Sequence, residues 1–335
     1  MTAQTEQRRV LLRADDVCKW FPIKGWPFAP KRYVQAVNHV SFHIYEGETL
    51  GLVGESGCGK TTLARTVLRL LEPTRGDIQF NGVDLMAQNK RQLRAMRKDM
   101  QIVFQDPYSA LHPRMTVRQT IEEPMRIRGL YTGPGEREAR VRELLQMVGL
   151  NDTHMDRYPH EFSGGQRQRI VIARALATEP KLLICDEPVS ALDVSVRAQI
   201  LNLLQDLQQK LGLTYLFISH DLSVVEHICD RVAIMYLGQM VELGSNEAIF
   251  SRPLHPYTKA LLSAAPQVGQ FGRRDRILLE GDIPSPADPP SGCRFRTRCP
   301  HAADCCAREP AWVEAEEGHC VLCHRFRELE EDSVS

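Results

Sequence analysis

Residues Gly54-Glu55-Ser56-Gly57-Cys58-Gly59-Lys60-Thr61-Thr62 read G-x-x-x-x-G-K-T, the pattern of a phosphate-binding loop. The apolar run Thr49–Val53 precedes it and reads as a strand. Leu63–Leu71 follows with apolar positions at helical spacing. Strand, loop and helix in that order are the context the motif needs. Gly54, Gly57 and Gly59 let the backbone wrap closely and turn successive N–H groups inward. The helix N-terminus adds a partial positive charge where phosphate would rest. In such a loop Lys60 reaches β- and γ-phosphates and the Thr61 hydroxyl is a Mg²⁺ ligand, with Ser56 and Thr62 completing the polar lining.

Outward from the loop, Val10–Lys19 reads as a first strand, and a Pro/Gly-punctuated insert, Pro22–Lys31, separates it from strands over Tyr33–Tyr45. Phe21 has two readings, stacking on an adenine ring or packing within a hairpin. After the loop helix come a short strand, Asp77–Phe80, and an Asn81-Gly82 hairpin turn. Arg91–Met100 is basic and reads as a solvated helix face rather than a nucleic-acid patch. Gln101–Phe104 is a strand ending at Gln105. The pattern from Pro113 to Val148 is helical, with breakers at Gly129 and Thr132–Gly135, which predicts an all-α insertion over about residues 106–162 of an α/β core.

Ser163-Gly164-Gly165-Gln166 opens a helix through Ala177 and reads as a second anion-binding terminus. Lys181–Cys185 and Thr214–Ile218 read as buried strands. In an open α/β sheet, ligands bind beyond the carboxyl ends of strands. Gln105, Asp186, Glu187 and His220 all fall there. Alone, Asp186-Glu187-Pro188 is equally a helix-start turn. Beside a phosphate loop, Asp186 supplies the second metal carboxylate and Glu187 a group that polarises water, while His220 contacts the γ-phosphate.

Together these residues resemble the ATP-binding subunit of an ABC transporter from Val10 to about Phe250. Ser163-Gly164-Gly165-Gln166 is similar to the ABC signature, which other P-loop NTPases lack. The resemblance implies Gly54–Thr62 as Walker A, Gln105 as the Q-loop glutamine and a Mg²⁺ ligand, and Leu182–Asp186 as Walker B. Glu187 would be the catalytic glutamate, Asp193 the D-loop aspartate, His220 the switch histidine and Phe21 the A-loop aromatic. Phe162 stands where leucine is commoner, and Cys185 interrupts the aliphatic run. The implied fold is an α/β P-loop NTPase, a mixed-sheet core with an α-helical subdomain over residues 1–250, followed by a small cysteine-rich extension over residues 251–335.

In the family, the signature contacts a nucleotide held by a second ATPase subunit. One set of motifs then makes half of each of two sites, and closure passes to two integral-membrane permease subunits through the Gln105 region and the helical insertion. His255-Pro256-Tyr257 and the tail are similar to dipeptide/oligopeptide permease ATPases, a branch that includes nickel importers. The resemblance implies an importer served by an extracytoplasmic substrate-binding protein, with a paralogous ATPase as partner. The alternatives are a nickel importer ATPase and a soluble ABC-type ATPase acting on nucleic acid. Against the last stands a chain lacking a second cassette or a long coiled-coil insertion.

Ten cysteines are present, six of them between Cys293 and Cys323. Cys293-x5-Cys299-x6-Cys306 with Cys323 suits thiolate ligation of an iron–sulfur cluster or zinc. Cys305 and Cys320 are neighbours that could substitute, and free thiols remain a third reading. Paired C-x2-C units mark structural zinc, and Cys320-x2-Cys323 alone has that spacing. Some peptide-permease ATPases resemble this tail and carry a [4Fe-4S] cluster there, which the resemblance favours. Arg294, Arg296 and Arg298 alternate as on a solvated strand, with a second reading in which they offset the thiolate charge of a cluster.

Composition limits the rest. The 335 residues suffice for about two domains, 43% are apolar, and 42 basic residues balance 42 acidic ones. No net basic field points to nucleic acid, and no apolar run of about 18 residues spans a bilayer. The polar start, Met1–Arg13, lacks a signal-peptide core. The expected location is the cytoplasmic face of the inner membrane, held there by permeases.

Overall fold

The computed structural model describes residues 8–24, 31–264 and 277–331. Most of the Pro22–Lys31 insert, residues 25–30, lies outside the described residues. In chain order, β1 (Val10–Ile23), β2 (Arg32–Tyr45) and β3 (Thr49–Val53) lead into α1 (Lys60–Val67). Next come β4 (Arg75–Phe80), β5 (Val83–Asp84), α2 (Lys90–Met96), β6 (Met100–Val103), α3 (Pro107–Ala110), α4 (Val117–Arg128), α5 (Glu136–Met147) and α6 (Gly164–Leu176). The chain continues through β7 (Leu182–Asp186), α7 (Val194–Leu211), β8 (Thr214–Ser219), α8 (Leu222–Ile228), β9 (Arg231–Tyr236) and β10 (Gln239–Ser245). It closes with α9 (Asn246–Ser251), α10 (Pro256–Ala264), β11 (Val313–Glu316), β12 (His319–Val321) and α11 (Phe326–Glu331).

These elements form two compact units. One gathers Ile44–Glu48 and Ala87–Ile218. Here β6, β7 and β8 run parallel in that order, with Val103 opposite Cys185 and Cys185 opposite Phe217. Every residue of β7 and β8 is buried, as expected of parallel strands covered on both faces. The helical insertion is present as α3, α4 and α5. Val117, Ile121 and Met125 recur at four-residue steps on α4, and α5 buries Val141, Leu144 and Leu145. These helices pack on α6. Gly129 ends α4 in the left-handed conformation at φ 66°, and Gly135 precedes α5 at φ 75°, so the expected breakers act as caps.

The other unit gathers Leu12–His43, Thr49–Met86 and the chain from Ser219 onward. It contains a sheet ordered β2-β1-β4-β5 and the strand series β11-β12-β10-β9-β3. Asn81 and Gly82 both have positive φ, 51° and 75°, the geometry of a two-residue hairpin turn. β3 pairs with β9 in parallel, Val53 opposite Ile234. β12 pairs antiparallel with β10, Leu243 opposite Cys320, so the C-terminal segment extends the same strand series that carries the phosphate loop. Leu254, Val321 and Phe326 form its own small apolar cluster.

The arginine alternation is a correction. Residues 294–298 form turns, not a solvated strand. Arg294 is only 6% exposed and donates to the Leu237 carbonyl at 2.6 Å, and the Arg298 side chain is 8% exposed in an ion pair. Oxygen acceptors of the sheet unit take the terminal nitrogens of Arg294 and Arg298, which offsets the cost of burying them.

Candidate functional site

The phosphate loop connects β3 to α1. A Cβ on Gly54 would lie 2.1 Å from the Met235 carbonyl oxygen, and one on Gly59 2.1 Å from that of Ala36. Only glycine permits this approach, and Gly59 also sits at φ 109°. Gly57, at φ 79°, faces open space. Gly59 is the N-cap of α1 and offers no side chain to close the helix terminus. The chemistry suits a polyphosphate: the helix end has positive polarity and no side-chain cap. Lys60 is buried and folded back, its Nζ donating to the carbonyls of Gly54 at 2.7 Å and Glu55 at 3.0 Å. Cys58 lies in the same loop, and burial pushes its thiol up while Lys60 opposes that. Phe21 lies on β1 with the Lys19 ammonium 5.0 Å from its ring centroid. His220 follows β8 and is exposed, and the next residue, Asp221, caps α8 by accepting from the Ser223 N–H.

In the first unit, Asp186 ends β7 and is 3% exposed. The adjacent Glu187 takes φ 49°, uncommon for a residue with a long side chain. Its N–H donates to the Ile218 carbonyl, and its carbonyl accepts from the N–H and hydroxyl of Ser190. Gln105 Nε2 donates to Glu187 Oε2 at 2.7 Å. Two residues 82 positions apart thus meet beside a buried aspartate, and the turn directs one carboxylate inward while a neighbouring amide holds the other. Cys185 is fully buried on β7 and burial raises its thiol pKa strongly, so it remains a neutral packing residue.

Ser163 is the N-cap of α6. Its Oγ accepts from the Gln166 N–H at 3.3 Å, and Gln166 Oε1 accepts from the Ser163 N–H at 3.0 Å. This is a complete capping box. Sequence reasoning assigned both glycines to anion binding, yet a Cβ on Gly165 would lie 2.3 Å from Val196 Cγ1 of α7. Close helix packing is therefore a second demand on Gly165. Phe162 is buried, edge-on to His154 with ring centroids 5.4 Å apart. Asp193 is the exposed N-cap of α7, followed by Val194 at 80% exposure.

In the C-terminal segment, Cys293, Cys299, Cys306 and Cys323 lie within electrostatic reach of one another. Burial first, then the neighbouring sulfurs, raise the thiols of Cys299 to about 11 and Cys323 to about 12. Cys293 donates its N–H to the Cys306 carbonyl at 3.0 Å. Cys320 lies on β12 among Glu314 and Arg231 instead, and Cys305 pairs with Cys306. Among the described residues, no three of these sulfurs lie within 4.8 Å of one another. A tetrahedral Zn²⁺ with Zn–S of about 2.3 Å would draw its sulfurs to about 3.8 Å. The donor set is all thiol, the chemistry of a soft-metal site.

Asp16, Cys18 and His39 do converge within 4.8 Å. That triad is electrostatically closed already: Asp16 Oδ1 bonds His39 Nδ1 at 2.6 Å, Asp16 Oδ2 pairs with Arg75, and Cys18 Sγ accepts from the His39 N–H.

Sequence reasoning missed Glu242. It is fully buried, accepts from the N–H groups of Leu254 and His255 at 2.7 and 2.9 Å, and meets His319 Nε2 at 2.8 Å. This explains the His255-Pro256-Tyr257 motif, where His255 Nδ1 accepts from the Tyr257 N–H and burial lowers the ring to about 4.

A glycine loop before a helix, a carboxylate pair after a buried strand, and a serine-capped signature helix define a P-loop ATPase of the ATP-binding-cassette type. Comparison with known proteins agrees. The ABC transporter family model matches residues 37–190, and the model for the C-terminal region of oligopeptide/dipeptide transporters matches residues 241–306. The oligopeptide transport ATP-binding protein AppF of Bacillus subtilis (strain 168) is 53% identical over 331 residues, covering 97% of this chain and 100% of AppF. OppF of Escherichia coli (strain K12) is 50% identical over 328 residues, covering 96% and 98%. Among solved structures, the dimeric ATP-binding cassette MJ0796 bound to ADP and Pi matches with a TM-score of 0.62 and 29% identity, over 70% of this chain and 99% of that one. The chain belongs to the ATP-binding proteins of the ABC transporter family, in its oligopeptide/dipeptide branch, and is an ATPase.

Proposed function

We propose that this chain hydrolyses ATP to power import of peptides through two membrane permease subunits, paired with a second, paralogous ATPase and supplied by an extracytoplasmic substrate-binding protein. Attachment runs through the permeases, on the cytoplasmic face; among the described residues no helix is long and apolar enough to cross a membrane. The cassette occupies residues 1–250 and the permease-type extension residues 251–335. Peptide cargo is supported by the relatives named as oligopeptide transport proteins.

The observation that carries the catalytic reading is the Gln105–Glu187 hydrogen bond beside buried Asp186. Gly54, Ser56, Gly57, Gly59, Lys60, Thr61 and Thr62 bind the phosphates, and Phe21 stacks on the adenine. Thr61, Gln105 and Asp186 would hold Mg²⁺, which would offset the phosphate charge. Glu187 orients water and accepts its proton, and His220 keeps that water in line. Lys60 leaves its loop carbonyls for the phosphates. Ser163, Gly164, Gly165, Gln166 and Asp193 serve the partner's nucleotide.

A surface of the first unit suits a permease helix: Phe104, Ala110, Glu123, Pro124, Ile127 and Arg174 line one cleft next to Gln105, with Ile127 57% exposed. Cys293, Cys299, Cys306 and Cys323 hold a [4Fe-4S] cluster of structural role. Anaerobic purification should give a brown protein that loses colour in Cys299→Ser, whereas a colourless protein containing zinc overturns the cluster. Reconstitution with permeases and binding protein in vesicles should give ATP-dependent peptide uptake. Uptake of Ni²⁺ but not peptide overturns the cargo.

A further inference from the structure

The phosphate loop is gripped from the C-terminal segment of the same unit. Glu55, its second residue, is the loop's only carboxylate. Its N–H donates to the Tyr257 hydroxyl at 3.0 Å, and its carbonyl accepts from Lys60 Nζ at 3.0 Å. Its carboxylate takes both terminal nitrogens of Arg298, at 2.9 and 3.3 Å. The partners are 243 residues apart in sequence. The Arg298 side chain is 8% exposed and that of Glu55 26%, so solvent screens the pair poorly.

The turn that carries Arg298 is itself fixed. Arg294 donates to the Leu237 carbonyl and to Gln35 Oε1. Phe295 packs edge-on to Tyr236 at 5.2 Å and against Tyr257 at 5.4 Å. Arg298 lies over the Tyr236 ring, 5.9 Å from its centroid. Tyr257 and Arg298 therefore reach Glu55 from one aromatic cluster.

We propose that Arg298 is a positioning residue for ATP binding, acting through Glu55. It does two things for the loop. The planar fork fixes the carboxylate in one orientation, which a point charge would not do. It also neutralises a negative charge that would otherwise oppose an incoming polyphosphate. Without Arg298, a partly buried carboxylate is stranded inside the site that must accept the phosphates. This role rests on the chain's ATPase activity and needs no cluster on the neighbouring cysteines.

The test uses the full-length chain and a fluorescent ATP analogue, with steady-state hydrolysis measured in the assembled transporter. Arg298→Ala should weaken analogue binding about 10-fold and raise KM for ATP similarly, leaving kcat within about twofold. Adding Glu55→Gln to Arg298→Ala should restore affinity to within about twofold of the native chain, because the stranded charge is gone. Arg298→Lys, which keeps the charge and loses the fork, should fall between. Unchanged affinity in Arg298→Ala overturns the proposal, as does a double variant that binds as weakly as the single one, since the tail then only supports the fold. Should Arg298→Ala fail to fold, Arg298→Lys decides: a KM raised about threefold supports the proposal and an unchanged KM overturns it.

Discussion

The helix N-termini at the two glycine motifs, α1 and α6, are finished differently. At α1 the N-cap is Gly59, which has no side chain to close the terminus, while Lys60 turns back onto loop carbonyls. At α6 the N-cap is Ser163, and its box with Gln166 already satisfies both backbone donors. The first end has no side-chain cap of its own. The second is self-sufficient in a single chain, its glycine committed to packing against Val196, yet Ser163 Oγ serves there as an acceptor and keeps its hydrogen available to donate. In the proposed function the α1 terminus binds the chain's own nucleotide and the α6 terminus meets one held by another subunit. That asymmetry is what a composite, two-chain site requires.

The largest expected effect separates chemistry from either terminus. Glu187→Gln should keep ATP binding and lower phosphate release by roughly 10²–10⁴-fold; near-normal turnover would remove Glu187 from catalysis. Lys60→Ala should weaken ATP binding about 10- to 100-fold, from the loss of charge-assisted bonds to phosphate. Calorimetric titration of the isolated chain checks this, and no change would mean that α1 is not the binding end.

Ser163→Ala sharpens the contrast. It should lower stability by about 1 kcal/mol through loss of the cap. It should leave ATP affinity of the isolated chain unchanged and reduce ATP-driven pairing with the second ATPase, read by sedimentation. Gly165→Ala should cost about 1–3 kcal/mol by overpacking against Val196, seen as a lower melting temperature.

The smallest effect concerns His255, far along the chain from both helices. It is buried and neutral, lowered to about 4, chiefly by desolvation and against the pull of Glu242. Its pKa is depressed on folding, so the unfolded chain gains a proton first. Stability should therefore decline as pH falls from about 6.5 toward 4. His255→Asn, whose side-chain oxygen can still accept from the Tyr257 N–H, should flatten part of that decline in urea titrations.

Much of this was legible because it is local. The G-x-x-x-x-G-K-T loop, the apolar strands β3, β7 and β8, and the breakers around α4 and α5 all lie in short stretches whose spacing dictates their geometry. Asp186 and Glu187 were legible for the same reason. The Gln105–Glu187 bond, the Arg298–Glu55 pair and the Glu242 cap on His255-Pro256-Tyr257 were not, because each joins residues distant in sequence. The alternating arginines near Cys299 misled because period-two charge looks solvated, whereas acceptors from Leu237, Gln35 and Glu55 make burial affordable. Gly165 was half read, since a signature glycine and a close-packing glycine look alike without the opposing helix.

The central claim is that two chains complete each ATP site. The direct measurement is specific ATPase activity against total protein concentration, with this chain and its partner ATPase mixed equally and sedimentation run in parallel. The account predicts activity per chain that rises with concentration and levels off as ATP-bound pairs form. Activity that stays constant down to the lowest concentration, on a species sedimenting as a monomer, would contradict it.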